Sequence, residues 1–343
     1  MPTPYGMTTG NSLQGPTEVR RHRLRAASGL AIDLLDLGAT LARVEVPSAD
    51  GRPVPLILDL DSVAEREDPV RNPYFGVTVG RYANRLRRAE FPLDGITYAV
   101  QANEGDNQLH GGSPGFAHVV WDTSSTTDDT VSFTRISPDG ENGFPGTLEV
   151  SATYRLTDDT IHVTYEATTD APTIVSMTNH AYWNLGGPGE DDIGEHVVHI
   201  AADDVVPVDE ATLPSGPPAA VDGTPFDLRA PVRLSDRLGF ALPNGFDHCF
   251  MIDGEGMRRH ARVTHPSGRS LEVWSDHPAV QFYTGAFLSG GPGADGRHHD
   301  PFGALCLEPQ RVPDAPNLGW APSAVLRPGE RYVHELRFHL TWD

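Results

Sequence analysis

Two amides, a histidine and two aromatic rings fall within eight residues at Thr178-Asn179-His180-Ala181-Tyr182-Trp183-Asn184-Leu185. Side chains alternate along an extended chain, so His180, Tyr182 and Asn184 are expected to share one face. They would offer a proton donor, an aromatic wall and an amide to one cleft. Aromatic rings pack on the apolar faces of pyranoses while amides and acids take the hydroxyl edges, so this mixture reads as a sugar-binding surface. The competing reading is a core strand carrying a buried, hydrogen-bonded histidine.

Four further segments carry polar groups that local structure alone does not require. Gly80-Arg81-Tyr82-Ala83-Asn84-Arg85-Leu86 is dense in donors suited to vicinal hydroxyls, or is an arginine-rich turn pairing with surface acids. Asn103-Glu104-Gly105-Asp106-Asn107-Gln108-Leu109-His110-Gly111-Gly112 ends in a histidine before two glycines that let backbone approach a ligand. In Asn244-Gly245-Phe246-Asp247-His248 the carboxylate of Asp247 either holds neighbouring hydroxyls or closes an Asx-turn. The last segment joins Val280-Gln281-Phe282-Tyr283-Thr284-Gly285 to Leu305-Cys306-Leu307-Glu308-Pro309-Gln310. There Glu308 follows an apolar run, and partial burial would raise its pKa. Asp247 with Glu308 is the pair to test for glycoside hydrolysis.

Composition removes other chemistries. All 26 basic residues are arginine, so Schiff-base aldolases, lysine-linked pyridoxal enzymes and P-loop nucleotide sites cannot be built. A formal charge of −21 repels polyanions and argues against nucleic-acid partners. Cys249 and Cys306 are the only cysteines, which indicates neither a disulfide framework nor a thiolate zinc site. His298, His299 and Asp300 lie together without a known ligand spacing and read as a solvated loop tip, so no metal is expected. No apolar segment suits a signal peptide or a membrane span, which makes a cytoplasmic location the expectation and a membrane partner unexpected.

The elements that must position these groups are mostly strands. Leu148, Val150, Ala152, Tyr154 and Leu156 alternate, then Ile161, Val163, Tyr165 and Ala167 do so beyond Thr157-Asp158-Asp159, predicting a hairpin over 148–168. Tyr332, His334, Leu336, Phe338 and Leu340 predict a C-terminal strand. Shorter runs lie near 30–47, 131–136, 197–206, 261–265 and 271–284. Only Asp61–Asp68 looks helical. Gly186–Asp192 and Ser289–Gly303 read as surface loops. With 35 Gly and 30 Pro punctuating 343 residues, the expectation is an all-β chain: one domain over 1–343, a large antiparallel β-sandwich with a concave sheet face and few short helices.

Taken together and in order, these strings resemble the aldose 1-epimerase, or galactose mutarotase, family. The strings are ANRL at 83–86, NQLHGG at 107–112, TNHAYWNL at 178–185, GFDH at 245–248, VQFYTG at 280–285 and CLEPQ at 306–310; 133–146 and 223–229 are similar too. The resemblance implies a galactose mutarotase-like supersandwich, with His180 as proton donor and Glu308 as general base. It further implies that Asn84, Arg85, His110, Tyr182, Asp247 and Gln281 bind substrate. Ala181, Trp183 and Pro309 depart from the family's usual Ser, Phe and Thr beside those positions. The implied reaction interconverts the α and β anomers of free aldohexoses such as galactose and glucose, with no cofactor. The expected partner is the small-molecule sugar, and the expected state a monomer or weak homodimer. The alternatives are a hexose-6-phosphate 1-epimerase, for which Arg85, Arg87 and Arg88 would have to reach the phosphate, and a non-catalytic sugar-binding module.

Overall fold

The computed structural model describes residues 1–9, 15–239 and 242–343. The alternating segments become the middle of a nine-stranded sheet. Its order is Asp122–Thr126, Thr130–Ser137, Leu148–Leu156, Thr160–Thr169, Tyr332–Thr341, Ser270–Ser275, Arg258–Thr264, Val197–Ile200 and Val232–Arg233. Leu156 pairs with Ile161 across the predicted hairpin, and Tyr165 pairs with His334, so the C-terminal strand is interior to the sheet. On these strands the apolar positions are buried and the intervening ones partly or fully exposed, as a half-buried antiparallel sheet requires. The main apolar core draws on residues from Leu24 to Leu340.

Two five-stranded antiparallel sheets complete the frame: Thr3–Met7 through Pro53–Pro55 in chain order, and Ala219–Ala220, Asp204–Val205, Asp247–Met251, Ala279–Tyr283 and Cys306–Gln310. The second one positions the site. Its face with His248, Phe250, Val280, Phe282 and Leu307 points mainly into the core, while Asp247, Gln281, Tyr283 and Glu308 share the other face. Val63–Glu67 is the only α-helix among the described residues. Ser62 caps it by accepting from the Glu65 amide at 3.3 Å, within the predicted Asp61–Asp68. No helix among the described residues is long and apolar enough to cross a membrane.

One loop expectation is corrected. Within Ser289–Gly303, His298 and Asp300 are exposed but His299 is buried, its ring 4.6 Å from that of Phe75. Arg297 is buried too and donates to Pro55 O at 3.2 Å and Ile57 O at 3.1 Å. The segment is extended there, so alternate residues turn inward and the cluster is not a solvated tip.

Candidate active site

A cleft of about 930 Å³ opens over the Asp247, Tyr283 and Glu308 face and is walled by Tyr74, Asn84, Arg85, His110, His180 and Tyr182. The meeting of His180 with Glu308 follows from register. Trp183 and Leu305 form an antiparallel bridge through reciprocal hydrogen bonds of 2.7 and 2.9 Å. Carrying that pairing three residues outward sets His180 opposite Glu308, and the two side chains approach to 3.7 Å between Nε2 and Oε2. His180 is tied on its other side to the chain at Val77 and Gly76 by backbone bonds of 3.0 and 2.9 Å.

His110 reaches the same point from another pair of strands. Leu109 pairs with Arg85, and one residue further the His110 amide donates to Asn84 O at 3.0 Å while the Asn84 amide donates to His110 Nδ1 at 3.2 Å. An accepting Nδ1 leaves the proton of a neutral ring on Nε2, so His110 presents an N–H donor. Both residues hold left-handed backbone, φ 66° at Asn84 and 51° at His110, a conformation that costs about 1 kcal/mol or more and marks a constrained site.

Burial governs the electrostatics around His180 and Glu308. Burial drives the His180 pKa down to about 4. Burial first and the Asp247 charge second push the Glu308 carboxyl well above its ordinary range, with Arg85 opposing them. The 3.7 Å spacing is that of an ion pair, yet both shifts disfavour charge. Burial thus favours a neutral imidazole beside a protonated carboxyl over the ion pair. His110 is also held well below its usual range by burial and by His180. Glu308 Oε2 and His180 Nδ1 are buried without a hydrogen-bond partner.

The sequence-predicted residues separate into those that line the cleft and those that do not. Asn84, Arg85, His110, His180, Tyr182, Asp247 and Glu308 line it. Gln281 is not among the lining residues; from the strand Ala279–Tyr283 it donates through Nε2 to Asp247 Oδ1 at 2.6 Å. Tyr182 contributes its ring, stacked 5.0 Å from His180, because its hydroxyl is engaged by Pro73 O at 2.9 Å. Asp247 closes no Asx-turn; it opens the strand Asp247–Met251 and lies 3.6 Å from Arg85 Nη1.

Several readings are corrected. Asn184 does not share the cleft face: its Nδ2 donates to Gly303 O at 2.9 Å and its Oδ1 accepts from Gly186 at 3.0 Å. Trp183 makes the last bridge of this extended segment and Leu185 begins a turn, so Asn184 is drawn to that turn and to Gly303 instead of the cleft. Glu308 sits inside its strand and is fully buried, 2% exposed, where partial burial after the strand was expected. The glycines after His110 approach protein, with a Cβ on Gly111 falling 2.0 Å from Gly80 O and one on Gly112 falling 2.7 Å from Gln101 Oε1. Arg81, in the same string as Asn84, is buried and donates to Ser137, Pro138, Pro145 and Gly146, anchoring the 137–146 loop.

Cleft residues that the sequence did not single out are Tyr74, Glu104, Tyr283 and Phe287. The ring of Tyr74 lies 4.6 Å from that of His110 and 6.0 Å from that of His180, and its φ of 70° has no signature in residue type. Phe287 was legible in principle as an apolar residue in a turn that nothing local covers; it is 66% exposed at the rim. His110, His180 and Glu308 place their ligand-type atoms within 4.8 Å of one another, and Asp276, His277 and His334 do the same away from the cleft.

A sandwich of antiparallel sheets that brings an imidazole and a carboxyl within 3.7 Å of each other in one cleft is suited to proton-transfer chemistry. The family model described as Aldose 1-epimerase matches residues 20–339. Galactose mutarotase of Bos taurus is 43% identical over 312 residues, 90% of each chain. Among solved structures, an aldose epimerase homologue from C. elegans superposes with a TM-score of 0.88 at 31% identity, over 94% of this chain and 98% of that one. Galactose 1-epimerase from Lactobacillus acidophilus NCFM follows with a TM-score of 0.82 at 29% identity, over 95% of each. The chain belongs to the aldose 1-epimerase family.

Proposed function

We propose that this isomerase interconverts the α and β anomers of free aldohexoses, galactose and glucose among them, with His180 as acid and Glu308 as base. The observation that carries the reading is the 3.7 Å opposition of these two groups in a cleft where burial disfavours both charges. The pair holds one proton in either form. With sugar bound and the proton on His180, Glu308 takes the C1 hydroxyl proton while His180 protonates the ring oxygen. The C1–O5 bond breaks as C1=O1 forms. That step ends in the neutral pair, the form burial favours, which offsets the cost of charging the pair beforehand. Rotation about C1–C2 and the reverse transfers close the ring to the other anomer, and no covalent enzyme intermediate forms.

Asn84, Arg85, His110 and Asp247 supply the hydroxyl contacts and Tyr182 the aromatic wall, while Gln281 acts by holding Asp247. We favour a neutral substrate over a hexose 6-phosphate because the three candidate arginines are already paired. Arg85 is matched with Glu104, Arg87 with Asp209 and Pro214 O, and Arg88 with Glu90. We further propose that the chain acts as one domain, cytoplasmic, as a monomer or weak homodimer, with the sugar and neither nucleic acid nor membrane as its partner. Polarimetry of freshly dissolved α-D-galactose and α-D-glucose tests the reaction. Wild type should accelerate relaxation, and His180→Asn should lose about 10²- to 10⁴-fold of that acceleration, the scale of a positioned acid. Release of reducing ends from oligosaccharides would instead support hydrolysis by Asp247 and Glu308.

A further inference from the structure

Arg85 is the cation deepest in the cleft, and its fork is taken. Nε donates to Glu104 Oε2 at 2.7 Å and Nη2 donates to Glu104 Oε1 at 2.9 Å. On the other forked edge, Nη1 with Nη2, the Nη1 corner lies 3.6 Å from Asp247 Oδ2. Arg85 is 12% exposed and Glu104 is 36% exposed, so the carboxylate closes over the guanidinium from the solvent side. A guanidinium grips a carboxylate or phosphate through two parallel N–H groups, whereas a sugar hydroxyl needs only one donor. Glu104 therefore fills one of the two forked edges of Arg85 and Asp247 stands at the other, so an anionic group meets a carboxylate at either edge while a neutral hydroxyl needs only one N–H.

The surrounding charge agrees. Three arginines and five carboxyl groups line the cleft, the latter being Glu104, Asp106, Glu210, Asp247 and Glu308. The backbone of Glu104 is fixed independently of its side chain by reciprocal bonds of 3.1 and 3.0 Å with Asn107. Replacing the side chain thus leaves the turn in place.

We propose that Glu104 is a specificity-determining residue that reserves the cleft for neutral aldoses by occupying one forked edge of Arg85, so that uronates and aldose phosphates find no free cation. The inference rests on the anomer-interconverting reading above. Neutral hydroxyls meet Arg85 through Nη1 beside Asp247, and an added anion meets a cluster of two carboxylates around one guanidinium.

The test is anomeric exchange measured by NMR for D-glucose, D-glucuronate and D-glucose 6-phosphate at fixed ionic strength, with wild type, Glu104→Gln and Glu104→Ala. Removing one charge at this range in a partly open cleft is expected to raise the anionic-to-neutral ratio of kcat/KM by about 10-fold, chiefly through KM. A ratio within about two-fold of wild type in both variants overturns the proposal. Should the variants lose turnover, saturation-transfer binding of the same sugars reads the same ratio, and an unchanged preference for glucose overturns the proposal. Failure of wild type on glucose and galactose alike is a different result: it removes the mutarotase reading itself, and this inference with it.

Discussion

Glu308→Gln keeps the volume of the side chain and removes its ability to ionise, and the structure assigns opposite signs to its effects on activity and stability. The carboxyl is 2% exposed. Its folded pKa lies well above the ordinary 4.5 because of burial and then Asp247, with Arg85 opposing. A raised pKa contributes stability that is present below the unfolded value and lost as pH rises through the folded one. Within that window each pH unit costs the fold about 1.4 kcal/mol, and a neutral amide escapes this cost. Urea unfolding followed by tryptophan fluorescence should find the variant more stable than wild type at pH 8, by about 1 kcal/mol or more, with the gap shrinking toward pH 5. Polarimetry on the same samples should show about 10²- to 10⁴-fold less activity, the contribution of a positioned base. A variant less stable than wild type at pH 8, or a gap that does not shrink, refutes the buried neutral carboxyl. A loss of less than about ten-fold refutes its role as base.

Arg81→Met should destabilise the fold by about 3 kcal/mol or more, because five donor contacts to the 137–146 loop vanish and the acceptors on Ser137 and Gly146 are left buried; thermal unfolding reads this. His334 donates through Nδ1 to Met177 O and accepts at Nε2 from Ser275 Oγ, at 2.9 Å each, and is held well below its usual pKa by burial and by His277. A lowered histidine pKa contributes stability that is present above the unfolded value of about 6.5 and lost as pH falls below it. His334→Gln should therefore flatten the decline of stability between pH 7 and pH 5 by about 1 kcal/mol, measured by urea unfolding at both ends, and an unchanged slope counts against the assignment.

The strands were legible because their signal is local. Alternation at 148–156, 161–167 and 332–340 survives any tertiary arrangement that buries one face, and the hairpin and the C-terminal strand formed there. The pairing of His180 with Glu308 is set by the Trp183–Leu305 bridge, a contact between distant segments with no local trace. Residue types alone made His180 conspicuous and left Glu308 unremarkable until the family resemblance joined them. Asn184 was misplaced because the extended segment gives way to a turn at Leu185, directly after it. Glu104 was silent for a compositional reason: among 47 acidic residues, one more acid in a turn carries no information until Arg85 is seen in its grip. Tyr74 escaped for a conformational one, since a left-handed tyrosine cannot be read from its neighbours.

The central claim is that His180 and Glu308 together exchange the anomers of a free sugar, and it is tested most directly at equilibrium. Exchange spectroscopy on D-galactose labelled with carbon-13 at C1 reads the α-to-β rate itself, independent of any coupled assay. Wild type should give cross-peaks between the two anomeric carbons at mixing times where the buffer alone gives none, and His180→Asn and Glu308→Gln should each abolish them. Cross-peaks of undiminished intensity in either variant, or none with wild type on galactose and glucose alike, would contradict the account.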